Sequence, residues 1–202
     1  MHRQPLLTAL EFYARRHPDE AATTSRFRDF VEAQPRCFER SLEAPGHVTG
    51  SAWILSPDGN ATLLTHHRKL DMWIQLGGHA DGDADVVAVA LREGLEESGL
   101  AALELLDPLA AADAEPSAVA VPFDLDIHVI PARRSEPEHL HFDVRYAFRA
   151  GHTEVRVSDE SHDLAWVPLD ALWDYTNDVS VVRMATKWAR RPGAERLLVN
   201  RA

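Results

Sequence analysis

The sequence predicts a mixed β-sheet sandwiched between helices, an α/β (α+β) domain carrying an N-terminal helical extension. Three observations carry this expectation. Strand-like segments lie on both sides of a central helical segment, a further helical segment closes the chain, and two helical segments precede the first strand.

Residues 5–16 place Leu6, Leu10 and Tyr13 at helical spacing, and residues 19–33 add Phe27, Phe30 and Val31 ahead of Pro35. Residues 1–45 therefore read as the extension, which packs on the main domain, covers a substrate mouth or forms a dimer contact. Residues 46–202 read as the main domain. There, VTGSAWIL, the turn signal Pro57-Asp58-Gly59-Asn60 and ATLLTHH predict a hairpin. Gly77-Gly78 and the DGDAD cluster predict a loop. The segment from Ala84 to Ser98 reads as a helix, stopped by Gly99 where a left-handed cap residue is usual. Residues 101–120 are Ala-rich and predict a loop with a short strand. In FDLDIHVI, Phe123, Leu125, Ile127 and Val129 share a face. In HLHFDVRYAF, Leu140, Phe142, Val144, Tyr146 and Phe148 face one way, and His139, His141, Asp143 and Arg145 the other. LAWVPL predicts a further strand, and residues 178–190 a closing helix on Val181, Val182, Met184 and Trp188.

Composition bounds the function. The 202 residues suffice for one substantial domain with an extension, at 45% hydrophobic and 26% charged. Lys plus Arg number 21 against 32 Asp plus Glu, a net charge of −11 that argues against duplex nucleic acid as a partner, because such binding needs cations on phosphates. The lone Cys37 excludes an internal disulfide and a multi-cysteine zinc site, and reads as an inert small hydrophobe. No apolar run approaches the ~18–20 residues that span a bilayer, and the N-terminus has no signal-peptide pattern. The expectation is a cytoplasmic protein without a membrane partner. A homodimer, the commonest closed assembly, stays open.

The central helix carries the chemistry. On a helical wheel Glu93, Glu96 and Glu97 share one face, and Ala84, Val87, Ala88, Leu91 and Leu95 fall opposite, so the apolar side is expected to face the core. Like charges three and four residues apart cost roughly 0.2–0.5 kcal/mol per pair unless a cation intervenes. Three carboxylates within one turn suit Mg²⁺, a hard ion shared between carboxylates, water and phosphates. An acidic solvated face is the plainer reading of the same residues.

The spacing decides between them. Gly78, Arg92, Glu93, Glu96, Glu97, Gly99 and Leu100 stand as in the Nudix box: Gly, five residues, Glu, seven residues, then Arg-Glu-hydrophobic-any-Glu-Glu-any-Gly-hydrophobic. At roughly 7% usage per residue, six specified matches arise by chance at on the order of 10⁻⁷ per starting point. The chain thus resembles the Nudix hydrolases, closely over the box and loosely over residues 46–175. It departs at Ala84, where the box has its first Glu, and at Gly94, where it has a hydrophobic residue. Asp83 or Asp85 is expected to take over the missing Glu's structural part at the helix start. Gly94 is expected to serve close packing, at about 1 kcal/mol of helix propensity.

The resemblance implies a Nudix-like fold and a hydrolase that cleaves the diphosphate linkage of a nucleoside diphosphate derivative or similar small molecule with Mg²⁺ or Mn²⁺. It implies Glu96 and Glu97 as principal metal ligands, with Glu93 as a further ligand or the residue orienting a water. Arg92 holds the glutamates, and the Gly78 carbonyl completes coordination. Glu160, in a loop before the strand at Trp166, is the candidate general base.

Eleven histidines form a second signal. His79 follows Gly78 and is expected near the metal end of the site. The row His139, His141, Asp143 and Arg145, with His128 on the neighbouring strand, reads as substrate-recognition or metal-binding groups, or as a solvent-facing polar strand. His66 and His67 read as structural or surface residues, and Trp53, Trp73 and Trp166 as packing. Besides an acidic interaction domain with no site, two rival functions remain. One is an enzyme similar to isopentenyl diphosphate isomerase, which shares the architecture and histidine-rich metal coordination. Against it, Cys37 matches no cysteine motif of that enzyme and the Arg-Glu…Glu-Glu signature is the hydrolase version. The other is a non-catalytic ligand-binding or regulatory module, against which Glu93, Glu96 and Glu97 argue.

Overall fold

The computed structural model describes residues 2–107, 119–133 and 136–191. Two helices, α1 (Gln4–Arg16) and α2 (Ala21–Ala33), precede four strands: β1 (Gly46–Leu55), β2 (Ala61–His67), β3 (Met72–Ile74) and β4 (Leu76–His79). Helix α3 (Val86–Ser98) follows, then β5 (Leu103–Leu106), β6 (Asp124–Ile130), β7 (His139–Ala150), β8 (Ser161–Pro168) and helix α4 (Val179–Ala189). Most of the Ala-rich segment expected to be a loop with a short strand lies outside the described residues; its strand is β5.

The sheet is mixed and is organised on one long parallel pair. β1 runs beside β7 from Gly46↔Leu140 to Leu55↔Arg149. The other edge of β1 is shared, with β4 along Thr49–Ala52 and β2 at Leu55↔Thr62, both antiparallel. β7 likewise carries β6 along its first half and β5 at its end. β2 is flanked by β3 and β8.

Alternation gives each strand two faces. On one, Val48, Ala52 and Ile54 of β1 and Phe142, Val144, Tyr146 and Phe148 of β7 share a core with α1, α2 and α3. On the other, Trp53, Leu55 and Ala147 pack with Val181, Met184 and Trp188 of α4. The alternation expected in β7 is present. In β6 it holds for Leu125 and Ile127, whereas Val129 is 54% exposed where the strand runs out. Of the placements open to the extension, packing on the main domain is realised: the Phe30 ring stacks on Phe142 at 3.7 Å and Phe27 meets it edge-on at 5.4 Å.

Helix α3 is capped as its sequence suggests. Asp85 accepts a hydrogen bond from the Ala88 N–H at 3.1 Å, Asp83 braces the Asp85 N–H at 2.9 Å, and Gly99 closes the helix at φ 69°. Ala84 sits half-buried against the core, so the cap comes from Asp85.

The orientation of α3 corrects the helical-wheel reading. Buried are Val86, Val89, Ala90, Gly94 and Ser98, with Glu97 among them; Ala84, Val87, Leu91 and Leu95 lie at the margin and Ala88 is exposed. The reason is size. Ala90, Gly94 and Ser98 let the helix axis come close to the sheet, and the larger leucines fit only at the flank. A Cβ on Gly94 would stand 3.0 Å from the Ala52 Cβ and 3.1 Å from Leu103 Cδ1. The Gly94→Leu variant is expected to lose about 1–3 kcal/mol through overpacking, read as a lower urea midpoint at unchanged m-value.

Candidate active site

The turned helix brings its carboxylates inward. Glu97 is 8% exposed, and its Oε1 accepts a hydrogen bond from the Gly77 N–H at 3.2 Å. Burial pushes its pKa up to about 8; the charges of Glu93, Glu160 and Glu96 add to the rise, and the Gly77 N–H opposes it. The Glu93 carboxyl is also raised, by burial first and by Glu96 and Glu160, against the pull of Arg92. Arg92 donates to Glu93 Oε1 at 3.0 Å and to the His79 carbonyl at 3.2 Å, so it ties the helix to β4. Glu96 is exposed at the rim. A Cβ on Gly78 would stand 2.5 Å from the Glu93 Cδ, so a glycine is what lets the β4 backbone lie against this carboxylate.

Glu160 sits exposed in the turn just before β8, its carbonyl accepting the Arg68 N–H at 3.0 Å. Its carboxylate adds to the rise at both Glu93 and Glu97 and acts on His67. Glu96 and Glu160 thus act electrostatically on Glu93 and Glu97, and Arg92 is the cation paired with Glu93 among the described residues. A divalent cation fits this donor set: oxygen ligands only, one of them a buried acid with a single N–H partner.

His79 departs from expectation. Its predecessor Gly78 faces Glu93, and alternation along β4 sends the His79 ring through to the opposite face of the sheet. There its centroid lies 5.1 Å from those of His47 and His141. The polar row of β7 is not a solvent-facing surface either. His139, Asp143 and Arg145 are buried, and the register sets His47 against His141, Thr49 against Asp143 and Ser51 against Arg145. His128 pairs with His141 across β6 and β7.

Asp143 and Arg145, expected as substrate groups, instead satisfy each other. Arg145 is 1% exposed; its Nε donates to Asp143 at 2.8 Å, with Asp124 at 3.3 Å and Asp126 at 3.4 Å. Asp143 also accepts from Thr49 at 2.9 Å, Ser51 at 2.8 Å and the Gln75 amide at 3.2 Å. Asp124 binds Arg183 at 2.7 Å and Lys187 at 2.5 Å, and Lys187 reaches Glu20 at 2.6 Å. An unpaired ion in this interior would be costly, which is why the network closes on itself. His66 stacks on Trp73 with centroids 5.1 Å apart, and Trp53 is fully buried, both as packing groups.

Sequence reasoning missed His47, Thr49, Ser51 and Gln75. The signal for the first three was present: His47, Thr49 and Ser51 alternate on β1 as His139, His141, Asp143 and Arg145 do on β7. Nothing in the sequence disclosed that the two strands pair in parallel.

The fold with this site defines the class. A NUDIX domain model matches residues 46–188. The chain belongs to the Nudix family, whose enzymes are pyrophosphohydrolases. Among solved structures, a NUDIX-family hydrolase from Clostridium perfringens is similar at 22% identity and TM-score 0.54, over 76% of this chain and 97% of that one. An E. coli dihydroneopterin triphosphate pyrophosphohydrolase is similar at 14% identity and TM-score 0.51, over 70% and 93%. A C. elegans Ap4A hydrolase is similar at 15% identity and TM-score 0.50, over 70% and 94%. These likenesses concern the fold. No curated protein matches the sequence.

Two outcomes are expected. Folded Glu97 keeps a proton that the unfolded chain releases near the ordinary carboxylate value of 4.5, so stability of the metal-free protein falls as pH rises from there through about 8. Urea unfolding across that window should show the decline, and Glu97→Gln should flatten it. Arg145→Met, which strands buried carboxylates, should cost about 3–5 kcal/mol in the same measurement.

Proposed function

We propose that this chain is a Mg²⁺- or Mn²⁺-dependent hydrolase that cleaves the diphosphate linkage of a nucleoside diphosphate derivative or similar small molecule. The observation that carries the reading is Glu97: a buried acid with a raised pKa, one helical turn from Glu93 and beside the glycine pair of β4. A carboxyl group held at that cost among other carboxylates is one that a cation relieves.

In this reading Glu96 and Glu97 hold the ion, Glu93 holds it or orients a water, and the Gly78 carbonyl is a further oxygen donor. A divalent ion there supplies positive charge against the phosphate oxygens and lowers the pKa of a water. Arg92 fixes Glu93 through its 3.0 Å contact and joins it to the strand through the His79 carbonyl. Water attacks one phosphorus, the anhydride P–O bond breaks, and the bridging oxygen leaves with the other phosphate. The water's proton passes to a carboxylate, for which Glu160 stands within electrostatic reach of Glu93 and Glu97. His79, His139, His141, Asp143 and Arg145 lie on the other face of the sheet or inside it. That placement removes the support for direct substrate contact by this row.

The test is a panel of nucleoside diphosphate sugars, dinucleoside polyphosphates, nucleoside triphosphates and non-nucleotide diphosphates, assayed with Mg²⁺ or Mn²⁺ by coupled phosphate release. Glu97→Gln and Glu96→Gln are each expected to lose at least a hundredfold in metal-dependent turnover. Retained turnover in both variants overturns the site. Glu160→Gln is expected to lower kcat more than KM, and an unchanged kcat removes it as the base.

A further inference from the structure

We propose that His47, His139 and His141 form a binding site for a transition-metal ion of the Zn²⁺ class, on the face of the sheet opposite the glutamate turn and independent of it. Each offers one ring nitrogen, and these nitrogens all lie within 4.8 Å of one another. Two imidazole nitrogens on one tetrahedral ion, each at ~2.0–2.1 Å, stand roughly 3.4 Å apart. Small ring rotations therefore close the set.

The hydrogen bonds behind the rings fix which nitrogens are free. His47 Nδ1 lies 3.2 Å from the Leu42 carbonyl and His139 Nδ1 lies 2.8 Å from the Pro137 carbonyl. A carbonyl only accepts, so both Nδ1 atoms carry the proton and both Nε2 atoms present a bare lone pair. Backbone carbonyls orient metal-ligating imidazoles in this way. The Nε2 atoms of His47 and His141 are moreover buried without a hydrogen-bond partner among the described residues. His47 is 1% exposed, and leaving a polar atom unpaired at such depth costs free energy unless something binds it.

The chemistry of the rings selects the ligand. Burial, then the neighbouring histidines, lowers His141 to about 2, and burial lowers His47 as well, so both rings are neutral and ready to donate. Neutral imidazoles are poor anion hosts, and Arg40, the guanidinium that acts on His47 and His79, is paired with Glu136 at 2.7 Å, which disfavours a phosphate here. Nitrogen donors suit Zn²⁺, Co²⁺, Ni²⁺ or Cu²⁺ and not Mg²⁺. His79, with its centroid 5.1 Å from those of His47 and His141, stands beside the three as a fourth imidazole.

The experiment strips the full-length protein with chelator and titrates Co²⁺, then Zn²⁺, in the presence of excess Mg²⁺. One equivalent of Co²⁺ is expected, with visible bands of a four- or five-coordinate nitrogen site, displaced by one equivalent of Zn²⁺. Glu96→Gln/Glu97→Gln should retain the bands, whereas His47→Gln and His141→Gln should lose them while keeping the far-UV spectrum of the wild type. Should a histidine variant fail to fold, imidazole ¹⁵N shifts in the wild type decide: Zn²⁺ must move the Nε2 resonances of His47 and His139. Absence of stoichiometric binding, an octahedral spectrum that Mg²⁺ or the glutamate variants abolish, or binding that survives both histidine variants overturns the proposal. So does stabilisation by inorganic phosphate without metal.

Discussion

The site depends on how closely α3 lies against the sheet. A helix presenting Leu or Val at every inward position stands off by the length of those side chains. Here Val86 and Val89 fill the inner face only at the first turn, Ala90, Gly94 and Ser98 occupy the rest of it, and Gly78 takes the position facing Glu93 on β4. The short distance that results draws Glu97 out of water and sets Glu93 against the strand backbone. The raised pKa values follow from this approach, because desolvation is the largest cause at both carboxyls. The glycine at the box's hydrophobic position therefore belongs to the electrostatics of the site as much as to its packing.

Much of this was legible beforehand, for reasons that can be stated. The strands β1 and β2 announce themselves by the turn signal between them and β6 and β7 by alternation, and the box places Glu93, Glu96 and Glu97 by a spacing that chance does not produce. The rotation of α3 was not legible, since a wheel scores hydrophobicity and the helix was oriented by residue volume. Leu91 and Leu95 are more apolar than Ala90 and Gly94, yet the smaller pair faces inward. The placement of His79 was missed for a related reason. Neighbours in sequence on a strand are on opposite sides of a sheet, so adjacency to Gly78 meant separation from the carboxylates.

β4 divides two kinds of chemistry across the thickness of one strand. On the α3 side stand oxygen donors around a buried acid, and on the other side stand imidazoles whose hydrogen-bonded backs leave nitrogens bare. Hard and borderline metal ions sort between such surroundings by donor type, without any difference in cavity size. Beneath the imidazoles, Asp143, Arg145, Asp124 and Asp126 form an ionic layer that fixes the strand register. A one-residue slip of β7 would put Arg145 into the apolar core beside α2 and α3.

The long β1–β7 pairing also shapes how the chain acquires its structure. Thr49 and Asp143, hydrogen-bonded across it, are 94 residues apart in sequence. During synthesis β1 must wait, with one edge bare, until β7 has left the ribosome, and closing so large a loop is slow compared with forming a hairpin. Over that interval α1 and α2 have no completed sheet to cover, because Phe27 and Phe30 pack on Phe142. In nascent chains of this protein these apolar faces thus stay without their partners until late in translation.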